Sequence, residues 1–261
     1  GEDASRYNTN VQIYSYARGG NQTWEFEEAH TEQFSPTSIT PLVKYNNEWY
    51  FNYDAPVNAM INRNVSIAKS NSLKSNTQFG VELTIGSVLY GPLGYHLVIS
   101  TYIPYQAYTF YWFFTKVNHH ADWDIKWPDI WRGEVGENIP YLKNEKFYYH
   151  GMLMTPADLG NYMYGYMGRA LGLGPNIIYW GGGVAHVRNS TYKEESDLLK
   201  GYALAMLDSQ TVSYPYGDLP EDTAMIANGI SVFDSDYPGY KTVISNPPNG
   251  ALFDEIYKLF L

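Results

Sequence analysis

The chain opens with alternating polar and apolar positions that suit strands. "VQIYSYA" and "TWEFEEA" flank "RGGNQ", and "PLVKY" and "EWYFNY" flank Asn46-Asn47. Period-two runs joined by Gly- or Asn-rich turns predict antiparallel hairpins. "EWYFNY" is aromatic at most positions, so one of its faces is expected to sink into a core. The apolar span 79–100, "FGVELTIGSVLYGPLGYHLVIS", contains Glu82 and His96 and is cut by Gly91-Pro92-Leu93-Gly94. A membrane-spanning helix needs about 20 continuous apolar residues. The span therefore predicts two buried strands around a GPLG turn, or two short core helices, and no transmembrane segment.

The period changes at residue 54. Val57, Met60, Ile61, Val65 and Ala68 recur at helical spacing behind Asp54, a candidate N-cap, and Pro56. Residues 104–118 form a second, heavily aromatic helix, and "HHADWDIKWPDIW" follows as a loop. "TPADLGNYMYGYMGRALGL" predicts a third helix, with Thr155 as cap and Asp158 three residues later as an acidic capping box. Residues 196–209 and 218–234 predict a fourth and a fifth, the last capped by Asp218 with Glu221 closing the box. The expected fold class is α+β, with a β-hairpin portion over 1–53 and a mainly helical portion over 54–261.

Five glycines interrupt one stretch that otherwise reads as a helix: Gly160, Gly165, Gly168, Gly172 and Gly174. Each costs roughly 1 kcal/mol against alanine inside a helix. Asn161, Tyr164 or Gly165, Gly168 and Gly172 share one stripe at spacings of three and four. Either the stripe lets another backbone approach closely, or it walls a cleft into which Asn161, near the helix N-terminus, points its amide.

Composition adds three constraints. Twenty-six tyrosines, in a chain that is 17% aromatic, suit half-buried surfaces and clefts for polar ligands. The net charge is −10 and no basic run occurs, which argues against a broad nucleic-acid surface. The absence of cysteine excludes disulfides, thiolate catalysis and Cys-ligated zinc.

Candidate chemistry lies in four places. The Gly160–Asn161 helix is one. In "YWGGGVAHVR", Gly182 and its neighbours form a backbone nest for an anion or a flexible loop between helices, and His186 is a general-base candidate. In "GDLPED", Asp218 and Asp222 stand four apart, so they bind a metal, share a proton, or simply begin a helix. In "HHADWDIK", His119, His120, Asp122 and Asp124 are metal-capable, but no recognised ligand spacing occurs, and Lys126 beside Asp124 suits an ion pair. No metal site is assigned on this basis, and the cofactor is unknown. Asn-X-Ser/Thr triplets at Asn21, Asn64 and Asn189 are expected by chance in an Asn-rich chain.

Taken in order, "ADWDIK" (121–126), "DLGNYMYGYMG" (158–168), "GGGVAH" (181–186) and "YGDLPEDTAMIANGI" (216–230) resemble the bacterial polymorphic toxin type 44 domain family. The likeness rests on Trp123, Asp124 and Lys126; on Asp158, Gly160, Asn161, Tyr164, Gly165 and Gly168; and on Gly217, Asp218, Pro220, Asp222, Ile226, Gly229 and Ile230. It covers roughly residues 54–234. Two departures are a tyrosine-rich N-terminal portion in place of a long delivery module, and His186 where the family pattern has glutamine. The resemblance implies a toxin domain of the kind carried by larger secreted proteins in competition between bacteria, with an immunity protein as a candidate partner. The acidic charge and the Tyr/Trp content add a polar polymer or other target-cell component as the expected target.

Together these expectations place Asp124, Lys126, Asn161, His186, Asp218 and Asp222 as catalytic candidates around one cleft, with Trp123, Tyr164 and Gly182 contacting substrate. Hydrolysis of a cell-envelope polymer by general acid–base chemistry is the expected activity, with Asp124 or Asp218 as acid or base and Lys126 and Asn161 stabilising negative charge. The alternatives are an RNA-cleaving toxin and a non-catalytic secreted binder of carbohydrate or protein.

Overall fold

The computed structural model describes residues 11–18, 24–32, 41–74, 81–90, 95–103, 105–192, 198–209 and 213–245. The polar residues 1–10, the turns at 19–23 and 91–94 and the triplet at Asn21 lie outside the described residues. The chain is an α+β protein that divides into two compact units, Gly1–Asn52 and Tyr53–Leu261.

The first unit holds two hairpins. β1 (Val11–Arg18) pairs antiparallel with β2 (Trp24–Glu32), with a register shift between Ser15 and Tyr16. β3 (Leu42–Tyr45) pairs with β4 (Glu48–Phe51) across Asn46 and Asn47, whose φ values of 48° and 69° suit a tight hairpin turn. Along "EWYFNY" Tyr53 is fully buried and Tyr50 and Phe51 are half-buried, but the expected burial does not reach Trp49, which is 65% exposed. Four residues of a two-stranded ribbon have little to bury against.

The second unit is built on helices. α1 (Asp54–Lys74) buries Val57, Met60, Ile61, Val65 and Ala68, the five positions picked out by period. β5 (Val81–Tyr90) and β6 (Tyr95–Ile103) pair antiparallel, so the interrupted apolar span forms strands rather than helices. No described helix is long and apolar enough to cross a membrane. α2 (Tyr105–Val117) follows. The "HHADWDIKWPDIW" segment is a loop only as far as Trp127; a short helix, α3 (Pro128–Glu134), starts at its proline. A small hairpin, β7 (Phe147–Tyr149) with β8 (Met152–Met154), was not legible by period, because each strand is three residues long.

α4 (Pro156–Ala170) is the central helix. Thr155 and Asp158 form the expected capping box, each side chain bonded to the other's backbone N–H. Leu159, Tyr162, Met163, Tyr166, Met167 and Ala170 are buried on it. The helix ends earlier than the expected Leu173. Gly172 takes φ 89° after the last turn, and the N–H groups of Gly172 and Leu173 return to the carbonyls of Arg169 and Gly168. Gly172 and Gly174 are therefore outside the helix.

α7 (Pro220–Asp236) crosses α4 so closely that Gly165 faces the Ile226 carbonyl and Gly229 faces the Tyr162 carbonyl. A methyl group at either glycine would overlap the opposing oxygen. That crossing explains the loss of helix propensity on α4. α5 (Pro175–Thr191) and α6 (Leu198–Ser209) complete the unit. The triple glycine at 181–183 lies inside α5, which corrects both the nest and the flexible-loop expectations.

Most described tyrosines are half-buried, as expected, but several go deeper. Tyr53, Tyr149, Tyr162 and Tyr166 are in the core, Tyr53 against Trp131 and Phe147, and the other three in a run of ring contacts from Tyr149 to Phe233. Tyr53 donates to the Pro140 carbonyl, Tyr149 to Asn58 and Tyr166 to Asp236, so these rings bury apolar area while their hydroxyls stay bonded. Burial raises the proton affinity of all three phenols.

Candidate functional site

One cavity of about 220 Å³ opens within the helical unit. Its apolar wall comes from Phe110, Phe113, Phe114 and Val117 of α2 together with Tyr202 and Met206 of α6. The spacing of the four α2 residues, at i, i+3, i+4 and i+7, marks one helical face and was available in the sequence. Its polar wall comes from α4, α5 and the start of α7. All nine sequence-derived candidates line this cavity: Trp123, Asp124, Lys126, Asn161, Tyr164, Gly182, His186, Asp218 and Asp222.

Their environments divide them. Asp124 is 7% exposed and its carboxylate is already committed. Oδ2 accepts from the His120 backbone N–H and the Trp127 indole N–H, both at 2.8 Å, and Oδ1 faces Lys126 Nζ at 3.3 Å. Asp124 thus folds the 118–127 loop and holds Lys126 at the cavity. An acid–base role for it is not what this geometry supports. Trp123 donates its indole N–H to buried Asn64 and meets Trp112 and Phe113 edge-on, so it is wall rather than a free stacking surface. Burial of Asn64 inside α1 also accounts for its triplet as coincidence. Tyr164 stacks on Phe113 at 5.2 Å and donates to the Ile178 carbonyl.

Asn161 donates its side-chain amide to Asp222 Oδ1 at 2.7 Å. One of its N–H bonds is therefore spent orienting a carboxylate rather than waiting for a negative charge on substrate. Asp218 is not the helix cap expected from the sequence. Leu219 occupies the cap position in extended conformation with Pro220 behind it, and no side chain caps the helix. Proline at the first helical position removes one of the N–H groups a cap would serve. The Asp218 carboxylate is left facing the cavity, with Oδ1 accepting from the Leu219 N–H at 3.0 Å. Oδ2 lies against Gly182, where a Cβ would stand 2.9 Å away, so the glycine in α5 makes room for this carboxylate.

Burial pushes the Asp218 carboxyl up to about 6; the Leu219 N–H opposes this and the charge of Asp222 adds to it. Asp222 is raised as well, first by burial and then by the neighbouring Glu221 charge, with His186 and Asn161 acting in the opposite sense. The imidazole of His186 and the two carboxylates converge: one ligand-capable atom from each lies within 4.8 Å of the others. No other described His, Asp or Glu residues form such a three-membered group. His119, His120 and Asp122 do not line the cavity; His120 pairs with Asp129 and Asp122 with Lys116.

No family model, no curated protein and no solved structure matches this chain.

Proposed function

We propose that this cavity is the catalytic site of a hydrolase of the toxin type, acting on a polar polymer of the bacterial envelope. The observation that carries it is convergence: His186 from α5, Asp218 from the loop before α7, Asp222 from its first turn and Asn161 from α4 meet in one hollow with an aromatic opposite wall. These are groups that can take and return the proton of an attacking water. Lys126, tethered by Asp124, supplies positive charge at the rim for the oxyanion that develops. Phe110, Phe113, Phe114 and Tyr202 give the cavity an apolar aromatic side against which the apolar parts of a polar polymer can rest. A net charge of −10 favours an uncharged or amphoteric polymer over nucleic acid.

The test is expression of the full chain in a sensitive bacterium, with and without a periplasmic export signal, beside digestion of purified cell-wall sacculi. Toxicity confined to the exported form, release of soluble fragments, and loss of both in folded Asp218→Asn and Asp222→Asn support the proposal. Toxicity confined to the unexported form moves the target to the cytosol. A folded chain that is harmless in both compartments and releases nothing overturns it.

A further inference from the structure

We infer that His186, Asp218 and Asp222 form a binding site for one divalent transition-metal ion. Three observations converge on it. First, the three ligand-capable atoms lie within 4.8 Å of one another, yet none of the three side chains forms a hydrogen bond or ion pair with another. They face a shared gap rather than each other. With metal–ligand distances of about 2.0–2.2 Å, such atoms stand about 3.4 Å apart around a tetrahedral ion, so small side-chain rotations close the site. Second, two carboxylates meet inside the cavity, and neither is paired with a described lysine or arginine. The nearby Lys126 is held by Asp124. A dication supplies the missing positive charge.

Third, the carboxylates carry outer contacts of the sort that orient metal ligands. Asn161 holds Asp222 through Oδ1, and Asp218 is oriented by the Leu219 N–H at Oδ1 with the Thr223 hydroxyl also beside its carboxylate. Gly182 keeps the helix surface clear beside Asp218 Oδ2. One imidazole with two carboxylates suits Zn²⁺, Mn²⁺ or Co²⁺ better than Ca²⁺ or Mg²⁺, which prefer all-oxygen sets. Three protein ligands leave a position for water, whose deprotonation such an ion promotes. Binding does not depend on the hydrolase proposal; only the use of the ion to activate water rests on it.

The test is titration of the chelator-treated full chain with Co²⁺, followed by visible absorption and calorimetry. One ion per chain is expected, with absorption bands of a low-coordinate nitrogen–oxygen site. His186→Ala and Asp222→Asn should each weaken binding by more than about 100-fold, and Asn161→Ala by roughly 10-fold. Glu221→Gln, which removes a neighbouring charge but no ligand, should change it little. In the unaltered chain, Mn²⁺ should broaden the His186 ring protons before those of the other five histidines. No saturable binding by the unaltered chain, or saturable binding that leaves the His186 ring unbroadened and survives His186→Ala, overturns the inference. Binding without hydrolysis removes the hydrolase proposal and keeps the site; hydrolysis that persists in chelator keeps the hydrolase and removes the ion from its reaction, while the titration alone decides the site.

Discussion

Asn161 and Asp222 lie 61 positions apart in the chain and share a 2.7 Å hydrogen bond at the floor of the cavity. The bond links the second turn of α4 to the first turn of α7, the two helices whose backbones cross at Gly165 and Gly229. The close crossing and the polar pair are one construction, because the helices can present these side chains to each other only when their axes run this near.

Asn161→Ala therefore removes the orientation of Asp222 without removing the carboxylate. We expect hydrolytic turnover to fall on the order of 10-fold or more, with circular dichroism unchanged. Asn161→Asp places a third carboxylate beside Asp222 and should be worse than alanine. Rates on a released-fragment assay, compared across the two variants, check the order.

The glycines of α4 and α7 should behave in opposite ways. Gly165→Ala and Gly229→Ala drive a methyl into a facing carbonyl and should each cost about 3 kcal/mol or more. Gly160→Ala meets only the Ile125 side chain at 3.9 Å and should gain up to about 1 kcal/mol from helix propensity. Denaturant titration of the three variants measures this contrast. Equal effects at Gly160 and Gly165 would refute the crossing.

Asp218 should make the metal-free protein less stable as pH rises. Its carboxyl titrates near 6 in the fold, against an ordinary 3.8, so the folded state favours the protonated form. The group costs nothing well below pH 4, its penalty grows between about pH 4 and 6, and above 6, where both states are ionised, the penalty stays constant. Asp218→Asn should then stabilise the chain above pH 6 and lose that advantage by pH 4. After discounting for partial solvent screening the gain is on the order of 1–2 kcal/mol. Thermal melts between pH 4 and 8 in chelator read it directly.

Asp124 should respond in the other direction. Asp124→Ala leaves the Trp127 indole and the His120 N–H without their acceptor and frees Lys126. We expect a loss of about 1–3 kcal/mol at neutral pH. A stabilising Asp218→Asn beside a destabilising Asp124→Ala would separate the reacting carboxylate from the structural one, and denaturation at pH 7 suffices to compare them.

The sequence by itself determined the local elements that rest on near neighbours. The apolar period of α1, the Thr155–Asp158 box and the Asn46–Asn47 turn all depend on contacts within a few positions, so their residues could be read directly. The cavity candidates were legible as residue types able to do chemistry, and the α2 face at Phe110, Phe113, Phe114 and Val117 could have been added by the same rule. Only the tertiary structure decided what each candidate is free to do. Asp218 and Asp124 look alike in the chain, yet one faces a half-buried hollow and the other is closed off by an indole, a backbone amide and a lysine. The triple glycine inside α5 shows the same division: local propensity argues for a loop, yet a helix forms, and Tyr164, Asp218 and Tyr216 from other segments occupy the space that side chains at Gly181, Gly182 and Gly183 would take. Propensity acts over a few residues at about 1 kcal/mol each, whereas helix packing acts across the whole unit and outweighs it.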